Sequence, residues 1–230
     1  MIDVRKFDTL GHADHGWLDA RHHFSFASYY DPARMGWGRI RVWNDDRIDP
    51  RSGFPPHPHR DMEIVTYVRT GAITHQDSMG NKGRTAAGDV QVMSAGTGVT
   101  HAEYNLEDEQ TTLFQIWIET DRPSAPPSWG AKPFPRDTRL GSFQLLASGD
   151  PDDGALTINA DARVLGATVT AGSSISIDAE TERHLYLVPS ARVRVNGIEV
   201  GPRDGVAITG EQRIEIDAED DAELVLVDAR

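Results

Sequence analysis

Two short strings carry residue types suited to metal chemistry. His57 and His59 stand in HPH, and His101 and Glu103 stand in HAE. Each pair is spaced i, i+2. Side chains on a β-strand alternate between faces, so each pair projects to one side. Two such strands facing each other in a barrel bring three imidazoles and one carboxylate to one point. That donor set suits a divalent transition metal and leaves coordination positions open for a small ligand. Among nine histidines an HxH string alone is a weak signal, and its context strengthens it. Between the two pairs lie the strand-like runs MEIVTYV (62–68) and DVQVMSA (89–95) with their turns, so one excursion returns the chain beside its start.

A barrel must position these residues, and strand signals dominate the chain. Besides 62–68 and 89–95, short β-branched runs occupy 112–118, 174–178, 184–188, 192–195, 198–200, 206–209, 213–217 and 223–227. Asn196-Gly197 predicts a two-residue hairpin turn. Long amphipathic helical stretches are absent, which favours an all-β sandwich or barrel. Residues 119–141 hold prolines 123, 126, 127, 133 and 135; such a stretch is excluded from a sheet interior and reads as a connector. The sequence thus divides into a domain over 1–120, a Pro-rich connector over 121–141 and a second domain over 142–230.

The halves read as worn copies of one unit. MEIVTYVRTGAITH sets against RHLYLVPSARVRV, and AAGDVQVMSAG against GPRDGVAITGE. Matching Val68 to Val188 puts His57 and His59 opposite Ile177 and Ala179, so the second half lacks the ligands.

Composition narrows the function classes. The formal net charge is −13, which argues against a nucleic acid or an anionic membrane as partner. There is no cysteine, so disulfides, thiolate ligands and cysteine nucleophiles are excluded, in keeping with a reducing cytoplasm. The first residues lack the apolar core of a signal peptide, and no run is long and apolar enough for a membrane helix. No G-x-S-x-G string supports a serine hydrolase.

Further residues have structural readings. His12, His15, His22 and His23, beside Trp17, Phe24, Phe26, Tyr29 and Tyr30, read as turn and packing residues over the barrel, with a cleft wall as the alternative. His75 in HQDSMGN reads as part of a strand entering a turn, and Met93 as core. The glycines at 96 and 98 predict a tight turn that delivers His101, not a phosphate loop. The acidic run 215–223 reads as a solvated edge.

The order Gly53, HPH, Glu63, Gly71, then Gly88 and Gly98-x-x-His101-x-x-x-Asn105 resembles the cupin pattern. More closely, GHADHGWLDARHHFSFASYYDP (11–32), HPHRDMEIVTYV (57–68), HQDSMGN (75–81) and DVQVMSAGTGVTHAEYN (89–105) resemble the pirin family, of the bacterial quercetin 2,3-dioxygenase type. The resemblance implies a bicupin, two jelly-roll barrels with one mononuclear metal in the first. Its ligands would be His57, His59, His101 and Glu103. Ordinary cupins take their carboxylate where Glu63 stands, so Glu63 is either a competing ligand or, with His75, a residue that supports the ligands from behind. The implied activity is oxygenation of a small aromatic flavonol by dioxygen. Iron(II) suits this N/O donor set best, and copper, manganese, nickel or zinc also fit. Glu103 would serve as ligand and proton acceptor. The rival expectation is a regulator that binds a transcription or metabolic protein, with the metal as a redox-dependent switch. An enzyme requires an aromatic-lined pocket, expected between the barrels, where a regulator tolerates a closed site.

Overall fold

The structure, a computed structural model, describes residues 1–230. The first half contains β1 (Ile2–Arg5), β2 (Gly11–Asp14), β3 (Leu18–His22), β4 (Ile40–Ile48), β5 (Ser52–His59) and β6 (Met62–Thr70). It continues with β7 (Ala72–Asp77), β8 (Lys82–Ala86), β9 (Val90–Ser94), β10 (Val99–Asn105) and β11 (Thr111–Glu119). After β12 (Ser128–Lys132) come β13 (Gln144–Ser148), β14 (Leu156–Thr157), β15 (Ala162–Val169), β16 (Ser174–Asp178) and β17 (His184–Pro189). The chain ends with β18 (Val193–Val195), β19 (Ile198–Val200), β20 (Gly205–Ile208), β21 (Arg213–Ala218) and β22 (Ala222–Ala229). The only helices are two short 3-10 turns, and none is long and apolar enough to cross a membrane.

These strands build two sandwiches, each a seven-stranded sheet over a four-stranded one. The first has the orders β12-β9-β6-β11-β4-β3-β2 and β5-β10-β7-β8. The second has β1-β20-β17-β22-β15-β13-β14 and β16-β21-β18-β19. The central strands of the large sheets and all four strands of the small ones correspond, which is the internal repeat read from the sequence; the outermost do not, since β14 runs parallel to β13 and β2 antiparallel to β3. The turn at Asn196-Gly197 joins β18 and β19, and both residues have positive φ as such a turn demands.

Two strands cross the expected division. The connector is not excluded from the sheets: its residues Ser128–Lys132 form edge strand β12, antiparallel to β9 of the first sandwich. Its five prolines lie outside that strand, and an edge position is the one that a Pro-rich segment can supply. Reciprocally, β1 from the start of the chain pairs with β20 of the second sandwich. The first sandwich thus takes an edge strand from the connector, and the second takes one from the start of the chain.

The largest apolar cluster, of 23 buried residues, lies between the two seven-stranded sheets and unites both halves, with Trp43, Tyr67 and Phe114 meeting Leu146, Tyr186 and Val225. The interiors of the sandwiches differ. The second is filled by 17 buried aliphatic residues, against which Ile177 and Ala179 also pack. The first holds only clusters of six and four residues. Buried Thr66, His75, Gln91, His101, Glu103 and Gln115 occupy the space between. Burying so many polar groups is costly unless they are paired or serve a ligand.

Candidate metal centre

Strands β5 and β10 run antiparallel with His57 opposite His101. Because each pair alternates onto one face, the nitrogens of His57, His59 and His101 converge to within 4.8 Å of one another. The ring centroids are 4.5 to 4.9 Å apart. Nitrogens ~2.1 Å from a shared ion lie no more than about 4.2 Å from each other, so only a small closure is needed. Glu103 does not join this trio within the same span. Its carboxylate instead groups with His75 and His101. A register shift between His101 and Glu103 lies at this point of the β5–β10 ladder.

Hydrogen bonds fix which nitrogen each ring offers. His57 Nδ1 donates to Pro55 O at 2.8 Å, which leaves Nε2 with its lone pair. Asp77 accepts from His75 Nε2 at 3.1 Å, so His75 Nδ1 is an acceptor and faces His101 Nδ1 at 3.4 Å. His101 Nδ1–H therefore points to His75, and its Nε2 is unprotonated. Asp77 is held in turn by Asn81 and by the backbone of Met79. HQDSMGN is thus a turn, as its composition suggests, and also the rear support of His101.

The Nε2 atoms of both His59 and His101 are buried and have no hydrogen-bond partner. Orphaned buried imidazole nitrogens are what a metal would satisfy. Burial, and then the neighbouring His57, lower the His59 pKa to about 4. Burial and the other three imidazoles lower that of His101 to about 2. Both rings are neutral at physiological pH, the form that ligates. The residues present fit one divalent ion.

Glu103 is clamped from three sides. Gln91 Nε2 donates to Oε1 at 2.7 Å, Gln115 Nε2 to Oε2 at 2.7 Å and Thr66 Oγ1 to Oε1 at 3.2 Å. Burial nevertheless raises its pKa to about 7, against these three opposing hydrogen bonds. Sequence reasoning missed this clamp, yet a signal existed. Thr66, Gln91 and Gln115 are polar residues at inward positions of otherwise apolar strands.

Glu63, expected as a competing or supporting carboxylate, is neither here. It accepts from Ser94 Oγ and belongs to neither His/carboxylate group. Alternation along β6 explains this. Thr66 faces Glu103 inside the sandwich, whereas Val65 and Tyr67 face the second sandwich, and Glu63 shares their side. Met93 packs in the core with Ile64, as read from the sequence.

A cavity of about 670 Å³ opens beside His57 and His59. Trp17, Phe26, Phe54 and Trp117 line it, and Trp117 stands edge-on to His59 with centroids 4.9 Å apart. Every lining residue falls within 13–117, so the pocket lies inside the first sandwich, not between the barrels. His15 and His22 also line it, which favours the cleft-wall reading for those two. Exposed His12 pairs with half-buried Asp19, and His23 is buried against Tyr186, both structural roles. Gln115 lines the cavity, and its amide holds Glu103.

Comparison with known proteins agrees with this architecture. Residues 3–118 match the family described as Pirin, and residues 145–229 match the Quercetinase C-terminal cupin domain. A pirin-like protein of Caulobacter vibrioides is 64% identical over 231 residues, covering 100% of both chains. The quercetin 2,3-dioxygenase of Escherichia coli K12 is 44% identical, covering 99% of this chain and 98% of its own. The crystal structure of the bacterial pirin YhhW from Escherichia coli in complex with nickel(II) superposes with a TM-score of 0.93 at 42% identity, covering 100% of this chain and 99% of that one.

Proposed function

Because this chain belongs to the pirin family, we propose that it is a metal-dependent dioxygenase of the quercetin 2,3-dioxygenase type, acting on flavonols. The observation that carries this reading is a partnerless imidazole, His59, in the wall of an aromatic-lined cavity, with a second, His101, packed beside it. A closed site would favour a purely regulatory protein instead.

In this reading His57, His59 and His101 hold the metal through Nε2, and Glu103 is the fourth ligand. The second sandwich serves as a scaffold without ligands. An iron(II) ion bound by this set supplies Lewis acidity toward a flavonol hydroxyl and one-electron chemistry toward dioxygen. The residues do the rest. Pro55 O and His75 lock the His57 and His101 rings in the ligating tautomer. Trp17, Phe26, Phe54 and Trp117 hold a flat ring system and exclude water from it. Glu103 takes the proton of the flavonol hydroxyl on a carboxylate oxygen. Its raised proton affinity suits that task at neutral pH, and Gln91 and Gln115 keep it aligned.

The test is oxygen uptake with quercetin by iron-loaded protein, against a His57→Ala control. Uptake that needs both the metal and His57 supports the reading. Absence of metal-dependent uptake with any flavonol removes it.

A further inference from the structure

One buried carboxyl in the cavity has no role in the metal centre. Asp46 is 2% exposed and lines the pocket, yet its Oδ1 has no hydrogen-bond partner. It sits on β4, paired with Ala20 on one side and Leu113 on the other. β4 belongs to the seven-stranded sheet, whereas His57 and His59 lie on β5 of the four-stranded sheet. Asp46 and the histidines thus line opposite walls of one cavity.

The other polar side chains on the Asp46 wall are already engaged. His22 Nδ1 and Asn44 Oδ1 bond each other at 2.8 Å. Gln115 donates to Glu103 and accepts from Trp117 Nε1 at 3.2 Å. Asp46 alone keeps an unused oxygen. A leucine or valine there would fill the same wall without the penalty of an unpaired buried polar atom. Burial, with Asp45 and Glu103 nearby, pushes the carboxyl well above the usual range and favours its neutral form. A neutral carboxyl both donates and accepts a hydrogen bond.

We propose that Asp46 is a specificity-determining residue: its carboxyl hydrogen-bonds a ring hydroxyl of an aromatic ligand whose other end meets the histidines. The inference rests on the flavonol reading above and adds to it a preference for polyhydroxylated ligands. A site built to bond a hydroxyl rejects the analogue that lacks it, because the buried group is then left unpaired.

The experiment compares quercetin with 3-hydroxyflavone, which keeps the hydroxyl assigned to the metal end and lacks the others. Affinities are read by tryptophan fluorescence in zinc-loaded protein, since zinc has no redox chemistry and holds the ligand without turnover. Wild-type protein is expected to prefer quercetin by roughly tenfold or more, as one well-placed hydrogen bond allows. Asp46→Ala abolishes the preference by weakening quercetin alone, and Asp46→Asn retains most of it. Difference infrared spectroscopy supplies a second measurement that does not depend on the alanine variant folding. A buried carboxyl band should shift on quercetin binding, not on 3-hydroxyflavone binding, and be missing in Asp46→Asn.

An unchanged preference in Asp46→Ala, an unmoved band or a wild-type protein without preference overturns the inference. Oxidation of quercetin by wild-type iron-loaded protein alongside any of these leaves the flavonol reading standing. A wild-type protein that binds neither flavonol overturns both.

Discussion

The indole of Trp129 lies flat on the imidazole of His75, with ring centroids 4.9 Å apart and planes 9° from parallel. Trp129 belongs to β12, the strand formed from the connector, and His75 backs His101. The borrowed edge strand therefore reaches the candidate metal centre. Trp129→Ala is expected to lower stability by about 2 kcal/mol, less than a fully buried aromatic costs because the side chain is half-buried. It should also weaken metal binding by roughly tenfold, the scale on which supports behind a ligand act. Thermal denaturation and calorimetric metal titration check the two effects. Unchanged metal affinity would show that His75 needs no lid.

Glu103→Gln separates ligation from proton transfer. The three imidazoles remain, so metal binding should weaken by only about tenfold. Turnover should fall by about a hundredfold or more, since an amide cannot take the substrate proton. Metal content by elemental analysis, read beside kcat, distinguishes the two. Unchanged kcat removes Glu103 as the base.

Gly53→Ala tests how closely β5 must approach β10. An added Cβ would stand 2.3 Å from Glu103 O and 2.5 Å from Tyr104 Cα, both backbone atoms that cannot step aside. Overpacking of this kind costs about 1–3 kcal/mol. Because the same two strands carry the histidine trio, metal affinity should drop together with the melting temperature. A drop in melting temperature alone would mean that the strands yield without moving the ligands.

His23 gives the metal-free protein an acid sensitivity. It is fully buried against Tyr186, and burial, then Arg5 and Arg203, hold its pKa well below 6.5. The unfolded chain, near 6.5, binds a proton that the folded chain refuses. Its contribution is therefore full above pH ~6.5 and is lost as pH falls below it, by about 1.4 kcal/mol per pH unit for one proton. Denaturant unfolding from pH 7.5 to 5, with the metal chelated, should show a slope reduced by one proton in His23→Asn. An equal slope in both proteins excludes His23 as a contributor.

The legibility of the site in the sequence followed the range of the contacts. His57, His59 and His101 could be read because i, i+2 alternation is local. Glu103 was read as the fourth ligand, whereas the structure groups its carboxylate with His75 and His101 rather than with the histidine trio. Its neighbours were not foreseen, because Gln91 and Gln115 reach it across strand pairings that no local string reveals. Glu63 was misplaced for the same reason. Its sequence position fits the cupin pattern, whereas its face is set by the register of β6 with β9 and β11. The repeat was visible in paired apolar strings. The exchange of β1 and β12 was not, since an edge strand needs little apolar pattern and this one lies among prolines. The cavity was expected at a domain boundary, but that boundary is a filled apolar interface, and the vacant space lies where polar residues interrupt a core.

The exchange has a consequence for dissecting the molecule. Cutting at residue 120 would strip the leading half of the strand that carries Trp129 and leave β9 as an unprotected edge. The trailing half would likewise lose β1 and expose β20. Each fragment would present bare backbone donors and acceptors, together with the aromatic and aliphatic face that now joins the sheets. The two barrels are therefore expected to melt as one cooperative body, and separately expressed fragments are expected to aggregate.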